Sequence, residues 1–299
     1  MRSEYLLRSM LYVPAYKENL IEKSLTASAD AIIYDLEDSV PQACKEKARM
    51  ILENHILSGV FQKKLTFVRI NCLESDWLLE DLKHVFYKDI DGFVLPKINT
   101  AEELKVFDEM LSKMELDNGI ENGHFKFIPL IETASAVLDA LSIAKASKRT
   151  IALAFGGEDF LNDIQGTHGN PPYAFDYPRA TIVLAARAAG ILPIDTPYLA
   201  IRDLEGFIKE KRQSYEMGFA GVQVVSPRQL EAAHQCFTPD EEVVKRSEGI
   251  MEAWKNAMAE GTAIAMYQDQ MIGPPMKKRA EKILGIMEQI RQREIQRES

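Results

Sequence analysis

Cysteine is scarce: Cys44, Cys72 and Cys236 are three in 299 residues, far apart, odd in number and without a Cys-x-x-Cys spacing. That excludes a disulfide framework or a zinc knuckle and fits a reducing compartment. Long apolar runs are also missing. No stretch reaches the ~18 residues of a membrane span, and the longest candidate, residues 180–192, is interrupted by Arg187. The N-terminus lacks a signal-peptide core, because Glu4 and Arg8 bracket a stretch that is too short. A cytoplasmic protein with no membrane partner is the expectation. Excess positive charge is absent, and a formal net charge of −9 argues against nucleic acid as a partner. The strongest basic cluster, Lys277-Lys278-Arg279, opens a helical pattern and reads as a solvated face. Of five histidines, four sit in helical or turn patterns, and nothing marks His168 as a base.

What the chain does have is a repeated pattern. Eight short apolar runs recur: Ser9–Pro14, Ala31–Asp38, Leu65–Asn71, Gly92–Ile98, Phe125–Thr133, Ile151–Asp159, Leu192–Tyr198 and Gly221–Ser226. Each has strand composition and is followed by a helical pattern, as a (β/α)8 TIM barrel requires. Catalytic groups of that fold sit at the C-terminal strand ends. Those ends supply Glu37, Asp38, Arg69, Asn71, Lys97, Glu132, Glu158, Asp159 and Asp195. A ring of carboxylates with a few cations at one mouth is an active-site composition.

The helices carry start and stop signals. Thr100-Ala-Glu-Glu103 reads as a capping box, Ser226-Pro-Arg-Gln229 as an N-cap with proline at the first helical position, and Gly218 as a C-terminal glycine. The stretch 156–178, rich in Gly, Asn, Pro and Asp, is long for a βα loop and is expected to wall the site. With the barrel complete in residues 1–237, residues 238–299 form a C-terminal helical/hairpin extension, expected to act as a lid or oligomer contact. It comprises a helix opened by a Thr238-Pro-Asp-Glu241 capping box, a hairpin around Gln268-Asp269-Gln270, and a last helix after Pro274-Pro275.

The pair with most chemical meaning is Glu132 and Asp159. Read as the ends of adjacent strands about 4.8 Å apart, two carboxylates repel unless a cation lies between them. Oxygen-only ligands suit Mg²⁺, which keeps waters that a substrate displaces. The alternative is that each caps the next helix. Gly156 and Gly157 would let backbone N–H groups approach a bound carboxylate. Arg69, inside an apolar strand, is suited to a substrate carboxylate or to an ion pair with a barrel acid. Asp35 points the same way as Glu37, so one of the two is paired or solvated. Lys97 is either a Schiff-base lysine or an ion-pair partner.

Seven ordered segments share these residues: Arg8-Ser-Met-Leu-Tyr-Val-Pro14, Asp35-Leu-Glu-Asp-Ser-Val40, Val68-Arg-Ile-Asn71, Leu95-Pro-Lys-Ile98, Ile131-Glu-Thr133, Gly156-Gly-Glu-Asp159 and Val224-Val-Ser-Pro227. Together they resemble the citrate lyase beta-subunit family, with its malyl-CoA and citramalyl-CoA lyases, in the HpcH/HpaI aldolase superfamily. The resemblance implies a Mg²⁺-dependent lyase acting on a 3-hydroxyacyl-CoA thioester to give acetyl-CoA and an α-keto acid. By position it implies Glu132 and Asp159 as metal ligands and Arg69 as the clamp on the substrate carboxylate. Glu37 and Asp38 match acids that hold metal-bound water. Glu132, Gly156, Gly157 and Glu158 would line the substrate. Tyr12, Pro14, Lys23, Val225 and Ser226 fall where members contact the CoA arm. Members commonly form homotrimers in which the C-terminal segment covers a neighbour's site.

The chain departs from the pattern in its tail. Family lyases carry an Asp in a Met-Ile-Asp motif that reaches the enolate carbon from the adjacent subunit. Here the motif is Met271-Ile-Gly273, with Asp269 four residues away. Glycine transfers no proton. The readings that follow are an active acyl-CoA lyase, a non-catalytic binder of Mg²⁺ and keto acids, and an aldolase on free acids without CoA.

Overall fold

The computed structural model describes residues 5–62, 64–169, 173–262 and 264–298. These separate into two compact units, one up to Phe237 and one from Thr238. In the first, eight parallel strands close in chain order: β1 (Ser9–Pro14), β2 (Ala31–Asp35), β3 (Leu65–Arg69), β4 (Gly92–Leu95), β5 (Lys126–Ile131), β6 (Ala152–Phe155), β7 (Leu192–Asp195) and β8 (Gly221–Val224). The helices between them are α1 (Glu18–Ser24), α2 (Lys45–Leu57), α3 (Leu78–Val85), α4 (Ala101–Asp117), α5 (Ala134–Leu138), α6 (Ala140–Ala146), α7 (Gly157–Asp163), α8 (Asp176–Ala189), α9 (Leu204–Met217) and α10 (Leu230–Phe237). This is the expected (β/α)8 barrel. Among the described residues no helix is long and apolar enough to cross a membrane.

Side-chain alternation divides the apolar residues between two cores. Met10, Ile33, Phe67, Val94, Ile128, Leu130, Ala154 and Ile194 fill the lumen. Ile32, Tyr34, Val68, Phe93, Phe127, Leu153, Phe155 and Val224 pack outward against the helices. Most strands end two to four residues before the apolar runs do. Glu37, Asp38, Asn71, Lys97, Glu132, Glu158 and Asp159 therefore sit on βα loops or a first helical turn, while Arg69 and Asp195 end their strands. The stretch 156–178 is not one long loop either. α7 takes its first third and a 3₁₀ turn at Tyr173–Phe175 leads into α8, while residues 170–172 lie outside the described residues.

Local signals act largely as read. Thr100 Oγ accepts from the Glu103 amide, although Glu103 reaches back to Asn99 N rather than to Thr100. Gly218 takes the left-handed conformation at the end of α9. In the second unit α11 (Glu241–Ala259) starts after Asp240, so the box does not begin at Thr238. Strands β9 (Ala265–Tyr267) and β10 (Gln270–Ile272) form the hairpin, with Gln268 and Asp269 left-handed at its tip, and α12 (Pro274–Glu298) follows. Ile250, Ala257, Ala265, Ile272 and Ala280 form this unit's own core.

Candidate active site

Parity along β2 and β3 turns Ala31, Ile33, Leu65 and Phe67 into the lumen, and the next residues of the same parity are Asp35 and Arg69. They face each other in register. Arg69 Nε and Nη2 each donate to Asp35 at 2.7 Å, a bidentate pair at the top of the lumen. Burial alone would lift the Asp35 carboxyl, but the Arg69 guanidinium outweighs it and holds that carboxyl below its usual range. Asp35 in turn accepts from the amides of Glu37 at 2.9 Å and Ser39 at 3.1 Å, which shapes the loop after β2. A guanidinium has five N–H donors, and Asp35 takes two. Nη1 lies 3.0 Å from Glu37 Oε2 and 3.8 Å from Asp38 Oδ2. The Nη1–Nη2 edge thus retains donors for a ligand carboxylate, while the Nε edge is an ion pair.

The same loop is held from beneath. Buried Lys45 Nζ donates to Leu36 O at 2.6 Å, Glu37 O at 2.7 Å and Asn71 Oδ1 at 2.8 Å. Asn71, expected at the mouth, belongs to this support and also donates to Asp81 Oδ2 at 2.6 Å. Glu37 is only 5% exposed. Burial pushes its carboxyl up to about 7, with Arg69 opposing and Asp38 adding. Its Oε1 lies 3.3 Å from Lys97 Nζ. Among the described residues no well-directed hydrogen bond reaches its Oε2, despite the nearby Nη1. A buried acceptor left open in a polar mouth is a place for a bound hydroxyl or water.

Lys97 contributes through its backbone as well. Its φ of +54° is left-handed, a conformation costing a non-glycine residue about 1–2 kcal/mol. In it, the Lys97 amide donates to Glu132 Oε1 at 2.6 Å. Burial opposes the Lys97 ammonium, but Glu37 and Asp38 outweigh it and raise its pKa. A lysine held as its cation is an ion-pair partner, since Schiff-base chemistry needs the free amine.

Ile131 pairs with Phe155, which brings Glu132 beside Gly156. A Cβ on Gly156 would lie 2.5 Å from Glu132 Oε2, so only glycine leaves that carboxylate its place. The glycine amides serve the frame and not a bound anion. Gly156 N donates to Ile131 O, and Gly157 N to Thr196 Oγ at 3.0 Å. Asp159 is in the first turn of α7, not at the end of β6. Burial first, then Asp159 and Glu37, lift the Glu132 carboxyl to about 8. Burial and Asp38 raise that of Asp159, with Lys97 and Arg69 opposing.

Carboxylates that raise one another's pKa form a site short of positive charge. Glu132 Oε2 and the Asp159 carboxylate offer only oxygen donors, and the described residues hold no group of three or more His, Cys, Asp or Glu suited to a metal. One or two carboxylates with the remaining positions left to water and ligand is the donor set Mg²⁺ favours. These residues fit that ion.

Other expected site residues are placed apart from this cluster. Glu158 is half-exposed and pairs with His168 at 3.1 Å. Asp195 faces outward, buried, and is tied to Arg179, Lys211 and Ser214 at 2.7–2.9 Å, so it braces α8 and α9. Tyr12 is in the lumen beneath Arg69, its ring 4.9 Å from the guanidinium carbon. Pro14 ends β1, while Val225 and Ser226 directly follow its neighbour β8. Lys23 is exposed on α1. Lys45 and Thr196, which the sequence does not mark, are framework for the site, and Asp35 is the paired member of the Asp35 and Glu37 alternatives. For Asp35 the sequence signal is an acid amid apolar neighbours, which a fold buries only when it is partnered.

The sequence matches the model of the HpcH/HpaI aldolase/citrate lyase family over residues 8–227. It is 33% identical over 279 residues to the citrate lyase subunit beta of Haemophilus influenzae, covering 93% of this chain and 96% of that protein. Identity to the mitochondrial citramalyl-CoA lyase of Homo sapiens is 28% over 296 residues, covering 96% and 87%. The crystal structure of CitE from Mycobacterium tuberculosis in complex with magnesium, acetoacetate and coenzyme A superposes with a TM-score of 0.75 at 26% identity, covering 93% and 97%.

Proposed function

The chain belongs to the HpcH/HpaI aldolase/citrate lyase family, and from that premise we propose that it is a Mg²⁺-dependent carbon–carbon lyase. Its substrate is a 3-hydroxyacyl-CoA thioester of the citramalyl-, malyl- or citryl-CoA type, cleaved to acetyl-CoA and an α-keto acid. The observation that carries the reading is buried Glu132 with half-buried Asp159, both with raised carboxyl pKa values, beside a guanidinium with donors to spare. Glu132 and Asp159 would hold the ion. When bound, Mg²⁺ supplies a Lewis acid for the negative charge that develops as the bond breaks.

The side chains do the remaining work. The open edge of Arg69 takes the substrate carboxylate in a charge-assisted fork. Glu37, poised near neutrality with Oε2 open, accepts the proton of the substrate hydroxyl. Lys97 balances Glu37 and, through its amide, fixes Glu132. The ends of β1 and β8, with Pro14, Val225 and Ser226, and exposed Lys23 on α1, receive the CoA arm. A homotrimer, with the C-terminal unit of one copy over the site of another, completes the reading. The relatives support it: magnesium and coenzyme A accompany the CitE neighbour, and a citramalyl-CoA lyase is among the homologues.

The test is turnover of citramalyl-, malyl- and citryl-CoA with Mg²⁺, read as acetyl-CoA release. Release from one of them is expected. Folded protein that cleaves none of the three, yet binds pyruvate, glyoxylate or oxaloacetate only with Mg²⁺, would instead be a binder. Gly273 favours that second reading.

The raised carboxyls also make stability depend on pH. A folded-state pKa above the unfolded value means that the folded chain holds its proton longer, so stability falls as pH rises between the two. For Glu132 that window runs from the ordinary 4.5 to about 8. Metal-free protein is expected to lose several °C in Tm from pH 5 to pH 8, and Mg²⁺ to restore it most at pH 8. Thermal melts with Mg²⁺ or EDTA measure this, and an equal Mg²⁺ effect at both pH values would contradict it.

A further inference from the structure

Gln223 is a polar side chain of the lumen that the proposed chemistry does not use. Gln223, on β8 between outward-packed Val222 and Val224, is 2% exposed. Its Nε2 donates to Phe155 O at 2.9 Å and Asp195 O at 3.3 Å, the last carbonyls of β6 and β7. Its Oε1 accepts from the Tyr12 hydroxyl on β1 at 2.9 Å. Carbonyls only accept, so they fix which way the amide points and oblige the Tyr12 hydroxyl to donate. Burial raises the Tyr12 pKa further, so its proton stays in this bond and is not available to a substrate.

One amide thus ties β8 to β1 and to the ends of β6 and β7. Through Tyr12 it reaches Arg69, whose guanidinium carbon lies 4.9 Å from the ring. Through Phe155 O it reaches the exit of β6, where Gly156 makes room for Glu132 and α7 presents Asp159. Through Asp195 O it reaches Thr196, which holds the Gly157 amide. A buried, fully bonded amide rigidifies what it joins, because any movement strands a polar group in an apolar setting. The two parts it joins are the carboxylate clamp and the metal-ligand loop.

We propose that Gln223 is a positioning residue that sets the Arg69 clamp and the Glu132–Asp159 pair in register, with Tyr12 as its arm to Arg69. The inference rests on the lyase reading above. It separates into two branches that different substitutions cut. Tyr12→Phe removes one hydroxyl, keeps the ring under Arg69, and touches only the clamp branch. Gln223→Met keeps volume and removes all three bonds.

The experiment is calorimetry of Mg²⁺ alone, then of pyruvate and oxaloacetate in saturating Mg²⁺, with melting temperatures for each variant. Tyr12→Phe is expected to weaken keto-acid binding roughly threefold and leave Mg²⁺ affinity unchanged. Gln223→Met is expected to weaken both roughly tenfold, the size of effect that supporting residues have on metal sites. The double variant should match Gln223→Met, because the two residues act as one unit. Unchanged affinities in folded variants, or loss of Tm alone, would overturn the proposal. Should Gln223→Met fail to fold, Tyr12→Phe decides: equal keto-acid affinity in that variant and the wild type overturns it. Wild-type protein that binds neither ion nor keto acid overturns the lyase reading itself, and this inference with it.

Discussion

Asp159→Asn is expected to abolish Mg²⁺-dependent turnover, by about a thousandfold, while making the metal-free protein more stable at pH 8. The two effects have one cause. Burial and Asp159 are the leading reasons that the Glu132 carboxyl is lifted to about 8, so in the absence of an ion the two carboxylates work against each other. Removing one charge relieves the other, and the apo fold gains. Removing it also takes away one of the two proposed protein donors for the ion, and a Lewis acid contributes several kcal/mol to stabilising developing charge. At about 1.4 kcal/mol per factor of ten, a loss near 4 kcal/mol is the thousandfold stated. Glu132→Gln should behave alike. Parallel measurement of acetyl-CoA release, Mg²⁺ calorimetry and EDTA melts checks all three parts. A variant that keeps its Mg²⁺ dependence would show that these carboxylates do not hold the ion.

The barrel was legible because its signal is local and repeated: eight apolar runs, each ending in polar residues, leave little choice of fold. Glu132 stands out in the sequence because it directly follows such a run. Asp159 stands out too, but the sequence puts it on the wrong element, since no local feature says that β6 stops at Phe155 and α7 begins at Gly157. Asp195 shows what parity adds. Ile194 faces the lumen, so its neighbour must face the helices, and the supposed mouth acid is a buried anchor for Arg179 and Lys211. Gly156 and Gly157 were read for their amides. What matters at Gly156 is the missing Cβ, which only the packing of Glu132 against it reveals. Asp35 stayed ambiguous because its partner is 34 residues away, and only strand register pairs it with Arg69. Long-range pairing is what a linear reading misses.

Gly273→Asp is expected to raise the rate of bond cleavage about a hundredfold, within the range a positioned acid contributes. In the proposed reaction cleavage leaves an enolate whose carbon must be protonated, and the family resemblance implies an Asp for that step in a tail motif where this chain has Met271-Ile-Gly273. Nothing in the tail's own structure calls for glycine there. A Cβ at Gly273 would meet only Pro275 Cδ at 3.7 Å, an ordinary contact, and its φ is not left-handed. An Asp therefore fits without strain. Asp269 is a poor replacement. It sits at the hairpin tip, and β10 separates it from Gly273, a distance of about 13 Å at the rise of a strand. A carboxylate so displaced cannot occupy the same point unless the whole hairpin docks differently. Asp269→Asn is the matched control and is expected to leave turnover unchanged. The pair of variants, compared by single-turnover release of acetyl-CoA with Mg²⁺, separates the cases. A gain at Gly273 with no loss at Asp269 means that the wild-type protein works without a tail acid. A loss at Asp269 with no gain at Gly273 means that the proton route of this chain has moved along the hairpin, and the expectation stated here fails.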